Sequence, residues 1–313
     1  MLSRTEPEAT GYSHPSYAAS LSEFGSPCRL PDSDGWLLKR QIGSTPYHDA
    51  IGPYPFFTCA SAKNLAQDVE RLKGRLVSVT LITDPFGSWD PLNLRRCFPD
   101  RMVPFKEHFV IDLRSFSESA LSSHHKRYLP KALRAVRTAL CDAPAACLST
   151  WIDLYEGLIR RHEIRGISAF SPTSFEQQLK VPGIVAFKAT CDGAVVGMIL
   201  WYISQDKAYY HLAAYSEQGY RLRASYALFW ESIQYFQRHG TRWLGLGSGA
   251  GVQQAAPDGL TRFKRGWATG TRTVYLCGRI LEPDVYRGLA EACGVAEEAY
   301  FPAYRVGEFG NPN

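Results

Sequence analysis

The sequence contains no uninterrupted apolar run near the roughly 18 to 20 residues that a membrane-spanning helix needs. Met1 to Asp32 lacks the basic start and apolar stretch of a secretory signal, which sets the expectation of a cytoplasmic location without a stable membrane span. The eight cysteines (Cys28, Cys59, Cys97, Cys141, Cys147, Cys191, Cys277, Cys293) include no C-x-x-C pair, and no histidine stands at metal-ligand spacing. Neither structural zinc nor a disulfide framework is therefore expected, and no metal cofactor is called for. Short-period repeats are absent, which excludes solenoid architectures. A formal net charge of +5 over 313 residues is mild. It favours an anionic partner without demanding one.

What is present suits an ordinary globular chain. Hydrophobic residues make up 45% of the 313, enough to bury the core of one large domain or two modest ones. Residues 1–35 are rich in Ser, Pro, Gly and charge without an apolar period, and read as an irregular N-terminal arm. Ser61 can cap a helix to about Lys73, and strands follow at residues 76–82 and 105–113, so residues 36–119 read as an α/β portion. The basic stretch from His124 to Arg134 contains Pro130, which fits the first turn of a helix running to about Leu140. Apolar residues from Leu148 to Ile159 recur at helical spacing.

The next segment carries the strongest signals. Residues 184–191 and 195–203 form two strands around the hairpin turn Asp192-Gly193, and a third strand spans 208–215. A helix over 221–238, a strand over 242–246, a glycine-rich turn, a short helix over 260–267 and a strand over 271–277 complete the order. The domain division is thus 1–35, 36–119, 120–281, and a C-terminal helix and tail at 282–313. The fold class is α+β, with mixed α/β character.

Three groups of residues invite a chemical reading. The turn Gly245-Leu-Gly-Ser-Gly-Ala-Gly251 is not a phosphate loop of the Gly-Lys-Ser/Thr type and lacks dinucleotide spacing, so Gly247, Gly249 and Gly251 read as a loop shaped for substrate approach. Arg127, Lys131 and Arg134 stand at near-helical spacing and would align as a positive stripe for phosphates. Arg221 and Arg223 lie where a helix begins, so helix dipole and side-chain charge add for an anion. The clusters around Tyr47-His48-Asp49 and Lys106-Glu107-His108 read as surface or structural.

The order of three antiparallel strands, helix, strand, helix and strand resembles the GNAT acyltransferase fold. Lys126-Arg127 and Lys131-Ala132, His211-Leu-Ala-Ala-Tyr215, the helix with Tyr226, Leu228 and Trp230, Leu244-Gly-Leu-Gly247, and Phe263-Lys264-Arg265-Gly266 are similar to Fem-type peptidoglycan aminoacyltransferases and FemAB-like acyltransferases of polysaccharide clusters. The resemblance covers roughly residues 120 to 280 and implies a degenerate GNAT-like half before it. It implies transfer of an acyl group from an activated donor, acyl-CoA, to an amine of a small-molecule or lipid- or nucleotide-linked amino-sugar acceptor of the cell envelope. Lys264 would stabilise developing negative charge, His211 would act as general base, and Tyr215 would orient substrate or serve the leaving group.

Two alternatives stay open. Coenzyme A users of this fold usually carry an Arg/Gln-x-x-Gly-x-Gly/Ala loop, where this chain reads Arg221-Leu-Arg-Ala224-Ser-Tyr226. Aminoacyl-tRNA is the alternative donor, although no heptad-repeat arm accompanies it here. The third reading is a non-catalytic binding module on the same fold.

Overall fold

The computed structural model describes residues 9–249, 259–294 and 300–308. In chain order the elements begin with α1 (Pro15–Ser20), β1 (Ser26–Leu30), β2 (Gly35–Gln41), β3 (His48–Ile51), α2 (Leu65–Glu70), β4 (Ser78–Ile82), α3 (Pro91–Cys97) and β5 (Arg101–Asp112). They continue with α4 (Ser123–Ala135), β6 (Arg137–Leu140), α5 (Leu148–His162), α6 (Pro172–Gln178), β7 (Ile184–Cys191), β8 (Ala194–Ser204) and β9 (Lys207–Tyr215). Last come α7 (Glu217–Leu222), α8 (Ala224–Arg238), β10 (Trp243–Gly247), α9 (Gly259–Trp267), β11 (Gly270–Ile280) and α10 (Pro283–Ala292). The fold is mixed α/β, as the element order leads one to expect.

Two compact units emerge, neither continuous in sequence: 1–17, 109–158 and 176–270 form the first, and 18–108, 159–175 and 271–313 the second. Strands distant in sequence pair within each unit.

In the first unit the end of β5 pairs with β10, β10 with β9, and then β8, β7 and β6 follow by antiparallel pairing. The β7–β8 hairpin turns at Asp192-Gly193, both with positive φ, a backbone conformation suited to a tight two-residue connection. β8 is apolar almost throughout because both of its faces are covered. On one face lies α8, burying Ala224, Ala227, Leu228, Phe229, Ile233 and Phe236 at helical period against Phe187, Trp201 and Leu244. Its Ser232 hydroxyl accepts from the Trp201 indole at 3.0 Å and donates to the Leu228 carbonyl, so this buried hydroxyl is satisfied. α4 packs beside α8.

The second unit pairs β1, β2, β3, β4 and β11 in that order, with β3 and β4 parallel and the others antiparallel. Its core gathers Leu37, Phe57, Val69, Val79, Leu81, Phe98 and Cys277.

Several local expectations are corrected. The N-terminal arm is not irregular over its described part: it holds a 3-10 turn at Gly11–Ser13, then α1, β1 and the start of β2. Tyr12 and Tyr17 draw it in by packing edge-on against Tyr202. Pro130 lies inside α4, not in its first turn, on the exposed side of a helix that ends at Ala135. Ser61 makes no capping bond, and the helix expected after it is a 3-10 turn followed by the short α2. The helix expected over 221–238 is two helices, broken at Arg223, whose φ of 57° is left-handed.

Candidate active site

The feature that defines the site is a fork in the first unit's sheet. β9 and β10 run parallel, but they pair only over residues 207–209 and 243–245. Beyond that point β9 continues to Tyr215 against β8, while β10 shifts register and ends with Gly247 opposite Phe109. Each strand follows its other neighbour, so their carboxyl ends separate. The carboxyl ends of parallel strands are where α/β sheets place ligands.

Lys264 of α9 occupies this fork. Its side chain is 5% exposed, its ammonium donates to the Ser248 carbonyl at 2.7 Å, and it stands 5.0 Å from the centre of the Tyr210 ring. A buried ammonium is costly unless it is met by acceptors, and the carbonyl and the aromatic face supply part of that compensation. Gly247 fits the same arrangement twice over. Its φ of +73° is left-handed, and a Cβ there would lie 3.3 Å from the Lys264 nitrogen. Ser248 and Gly249 continue the turn, with the Ser248 hydroxyl donating to the Gly249 carbonyl. Gly251 lies outside the described residues.

A second feature lies on α4 and the α7–α8 junction. The guanidinium of Arg223 stacks 4.3 Å from the Tyr128 ring, and Arg127 and Lys131 approach the same ring at 5.6 and 5.7 Å. Three cations thus surround one ring, and no ion pair joins any of them to a carboxylate among the described residues. Arg223 is also the N-cap residue of α8 and makes no side-chain cap, so its guanidinium stands at the positive end of that helix. Arg134 is exposed on α4. Arg221, in the last turn of α7, is exposed and leans on Glu217 at 3.9 Å, away from the Tyr128 cluster's contacts.

His211 lies on the opposite face of the sheet from Lys264. Adjacent residues on a strand point to opposite faces: Tyr210 meets Lys264, whereas His211 meets Tyr12, Tyr17 and Tyr202. Its Nδ1 bonds the Tyr12 hydroxyl at 3.0 Å and its Nε2 the Gln178 side chain at 2.9 Å. Burial lowers its pKa to about 3, so it stays neutral. Both nitrogens are engaged inside the core, which makes His211 a satisfied structural histidine here, not a base open to substrate. Tyr215 ends β9, with its ring over Gly197 and 5.5 Å from Tyr220; burial raises its pKa, so the phenol keeps its proton. The arrangement therefore brings together Lys264, Gly247 and Tyr210, gathers Arg127, Lys131 and Arg223 at a second point, and leaves His211 aside.

Sequence reasoning passed over Tyr210 and His125. Tyr210 was hidden because strand parity is not readable without the pairing register. A separate cleft of about 550 Å³ opens in the second unit between Ser22–Ser26, Lys39–Gln41, His48, Arg305 and Glu308. It holds none of the residues above. His48-Asp49 lies at its edge as a structural cluster: Asp49 is clasped by Arg40 and Arg305.

Comparison with known proteins agrees with this architecture. Residues 123–265 match the family model described as Acetyltransferase (GNAT) domain. Among solved structures, FemX superposes with a TM-score of 0.64 at 13% identity, covering 90% of this chain and 95% of that one. The C-terminal domain of a putative lysylphosphatidylglycerol synthetase from Agrobacterium fabrum gives 0.62 at 16% identity, covering 88% and 91%. L-PGS from Bacillus licheniformis gives 0.59 at 14%, covering 88% and 94%. Among curated proteins no sequence matches the chain. At these identities the structural likeness establishes the fold, and the family model covers α4 through most of α9, the stretch that holds both Lys264 and the Tyr128 cluster. Residues 123–265 thus match the acetyltransferase (GNAT) domain model, and the chain shares the fold of FemX.

Proposed function

We propose that the protein is an N-acyltransferase that moves an acyl group from acyl-CoA to an amine of a small-molecule or lipid- or nucleotide-linked amino sugar. The observation that carries this reading is Lys264, an almost buried ammonium at the fork of a GNAT-type sheet. Amine acylation forms one N–C bond, breaks the bond between carbonyl and leaving group, and passes through a tetrahedral oxyanion. A desolvated cation at the place where that charge develops is worth more than one in water. Tyr215, kept protonated by burial, is assigned as a hydrogen-bond donor toward the departing thiolate. The amine enters neutral and its proton leaves to water, since His211 is closed off.

Arg127, Lys131 and Arg223 would hold the donor's phosphates through their side chains. The glycine and the following small residue of the usual coenzyme A loop are replaced here by Ala224 and Tyr226, both buried, so a backbone cradle is not the main support. That same filling favours aminoacyl-tRNA as a second reading of the donor, and it would give binding that weakens steeply with salt. The discriminating experiment is thermal stabilisation followed by product analysis. Acetyl-CoA should raise the unfolding midpoint, and incubation with a set of amino sugars should yield an acetylated product by mass spectrometry. Stabilisation by an amino sugar alone, with no product from acetyl-CoA or charged tRNA, would identify a binding module instead.

A further inference from the structure

Phe263, the residue before Lys264, is held by a short relay that starts on another helix. Ser122 caps α4: its hydroxyl oxygen accepts from the His125 backbone N–H at 3.3 Å. The same hydroxyl meets Nδ1 of the His125 ring at 2.8 Å, and the ring's Nε2 meets the Phe263 carbonyl at 3.0 Å. A carbonyl can only accept, so Nε2 carries the hydrogen and Nδ1 accepts from Ser122. The relay thus runs from the first turn of α4 to the residue that precedes Lys264 on α9.

The packing around the ring is built to match. His125 is 1% exposed and lies edge-on to Trp267 at 4.8 Å, with Tyr226 and Phe263 at 5.0 and 5.5 Å. The glycine next to Arg265 is what admits it: a Cβ on Gly266 would lie 2.0 Å from Cε1 of the imidazole. Only a residue without a side chain leaves room for the ring against this turn of α9. Burial also lowers the His125 pKa to about 4, so the neutral tautomer the relay needs persists at ordinary pH.

We infer that His125 is a positioning residue for acyl transfer: through its bond to the Phe263 carbonyl, and seated on Gly266, it fixes the rotation of α9 that sends Lys264 into the fork. The role of Lys264 itself rests on the function proposed above. A hydrogen bond to the neighbouring backbone sets the height and rotation of a helix turn, and small misplacement of a charged group costs far more in turnover than in binding.

The test uses His125→Leu, which fills the space without the two bonds, and His125→Gln, which keeps a donor for the Phe263 carbonyl. Pulse labelling with acetic anhydride, read residue by residue by mass spectrometry, reports Lys264 accessibility without any turnover. His125→Leu should label Lys264 at least fivefold faster than wild type while exposed Lys126 and Lys180 are unchanged, and His125→Gln should restore most of the protection. Transfer from acetyl-CoA should fall at least tenfold in kcat in the leucine variant, with KM for acetyl-CoA within twofold. Should His125→Leu fail to fold, Gly266→Ala displaces the ring without deleting it and should give the same labelling change. A folded variant of either kind with wild-type Lys264 labelling and turnover overturns the inference. Full transfer by Lys264→Met would instead overturn the site reading, while the labelling would still report on the relay.

Discussion

In the second unit Asp49, 1% exposed, is clasped by Arg40 and Arg305 through four bonds of 2.9 to 3.3 Å, and Glu308 closes on both arginines at 2.7 and 3.7 Å. On the exposed faces of α4 and α9 in the first unit, Arg127, Lys131, Arg134, Arg262 and Arg265 form no ion pair with a carboxylate among the described residues, and neither helix contains an acidic residue. The same side chains do opposite work. Where cations have carboxylate partners they join strands and terminal segments. Where they lack them, beside an aromatic ring and an uncapped helix start, their charge remains available to a ligand.

The largest effect is expected at Asp49. Asp49→Ala leaves two nearly buried guanidinium groups with Glu308 as their remaining shared anion, and it should cost about 3 kcal/mol by denaturant unfolding. Donor affinity of the molecules that remain folded should be unchanged. Loss of acetyl-CoA binding in that folded fraction would show that the two kinds of charge are not separate.

Acid should single out the first unit. His125 and His211 have folded-state pKa values of about 4 and about 3, both below the ordinary 6.5 because burial disfavours the charged ring. As pH falls below about 6.5 the unfolded chain takes up protons that the folded chain refuses, so their stabilising contribution, complete above that pH, drains away toward pH 4 and then 3. Amide exchange at pH 5 against pH 7 should show earlier loss of protection in α4 and β9 than in β2 and β3. His211→Gln should flatten the pH dependence; an unaltered slope would contradict this origin.

The smallest effect is expected where charge is free. Arg223→Gly removes one of the three cations at Tyr128 but suits the left-handed backbone there, so stability should hold or rise by on the order of 1 kcal/mol. Affinity for acetyl-CoA should weaken about tenfold, the usual scale for one hydrogen bond to a charged group, with a shallower salt dependence. Isothermal titration at two ionic strengths measures both. Unchanged affinity would remove Arg223 from the donor site.

Much of the fold was legible because its signals are local. The Asp192-Gly193 turn between two alternating strands, the period of α8 and the placement of β10 before a glycine turn need no distant partner to be recognised. The break at Arg223 was not legible, since arginine at φ 57° is imposed by packing and not by preference. The order of residues 10–17 was hidden for a similar reason: Tyr12 and Tyr17 settle against Tyr202 and His211, nearly two hundred positions away.

The site was legible in part. Lys264 and Gly247 both stand in motifs visible in the sequence, while Tyr210 and His211 are consecutive residues on opposite faces, and only the pairing register tells which of them shares the fork. His125 left a trace in the Ser122-to-His125 capping interval, but its reach to Phe263 and its seat on Gly266 depend on how α4 and α9 pack.

The role of Lys264 is tested by turnover of Lys264→Met with acetyl-CoA and the amino sugar that yields product, alongside its unfolding midpoint. Loss of a preorganised charge at the oxyanion should reduce kcat about 10²- to 10³-fold. The midpoint should hold or rise, since a buried ammonium is replaced by an apolar side chain of similar length. A folded Lys264→Met protein with turnover within threefold of wild type would contradict the account.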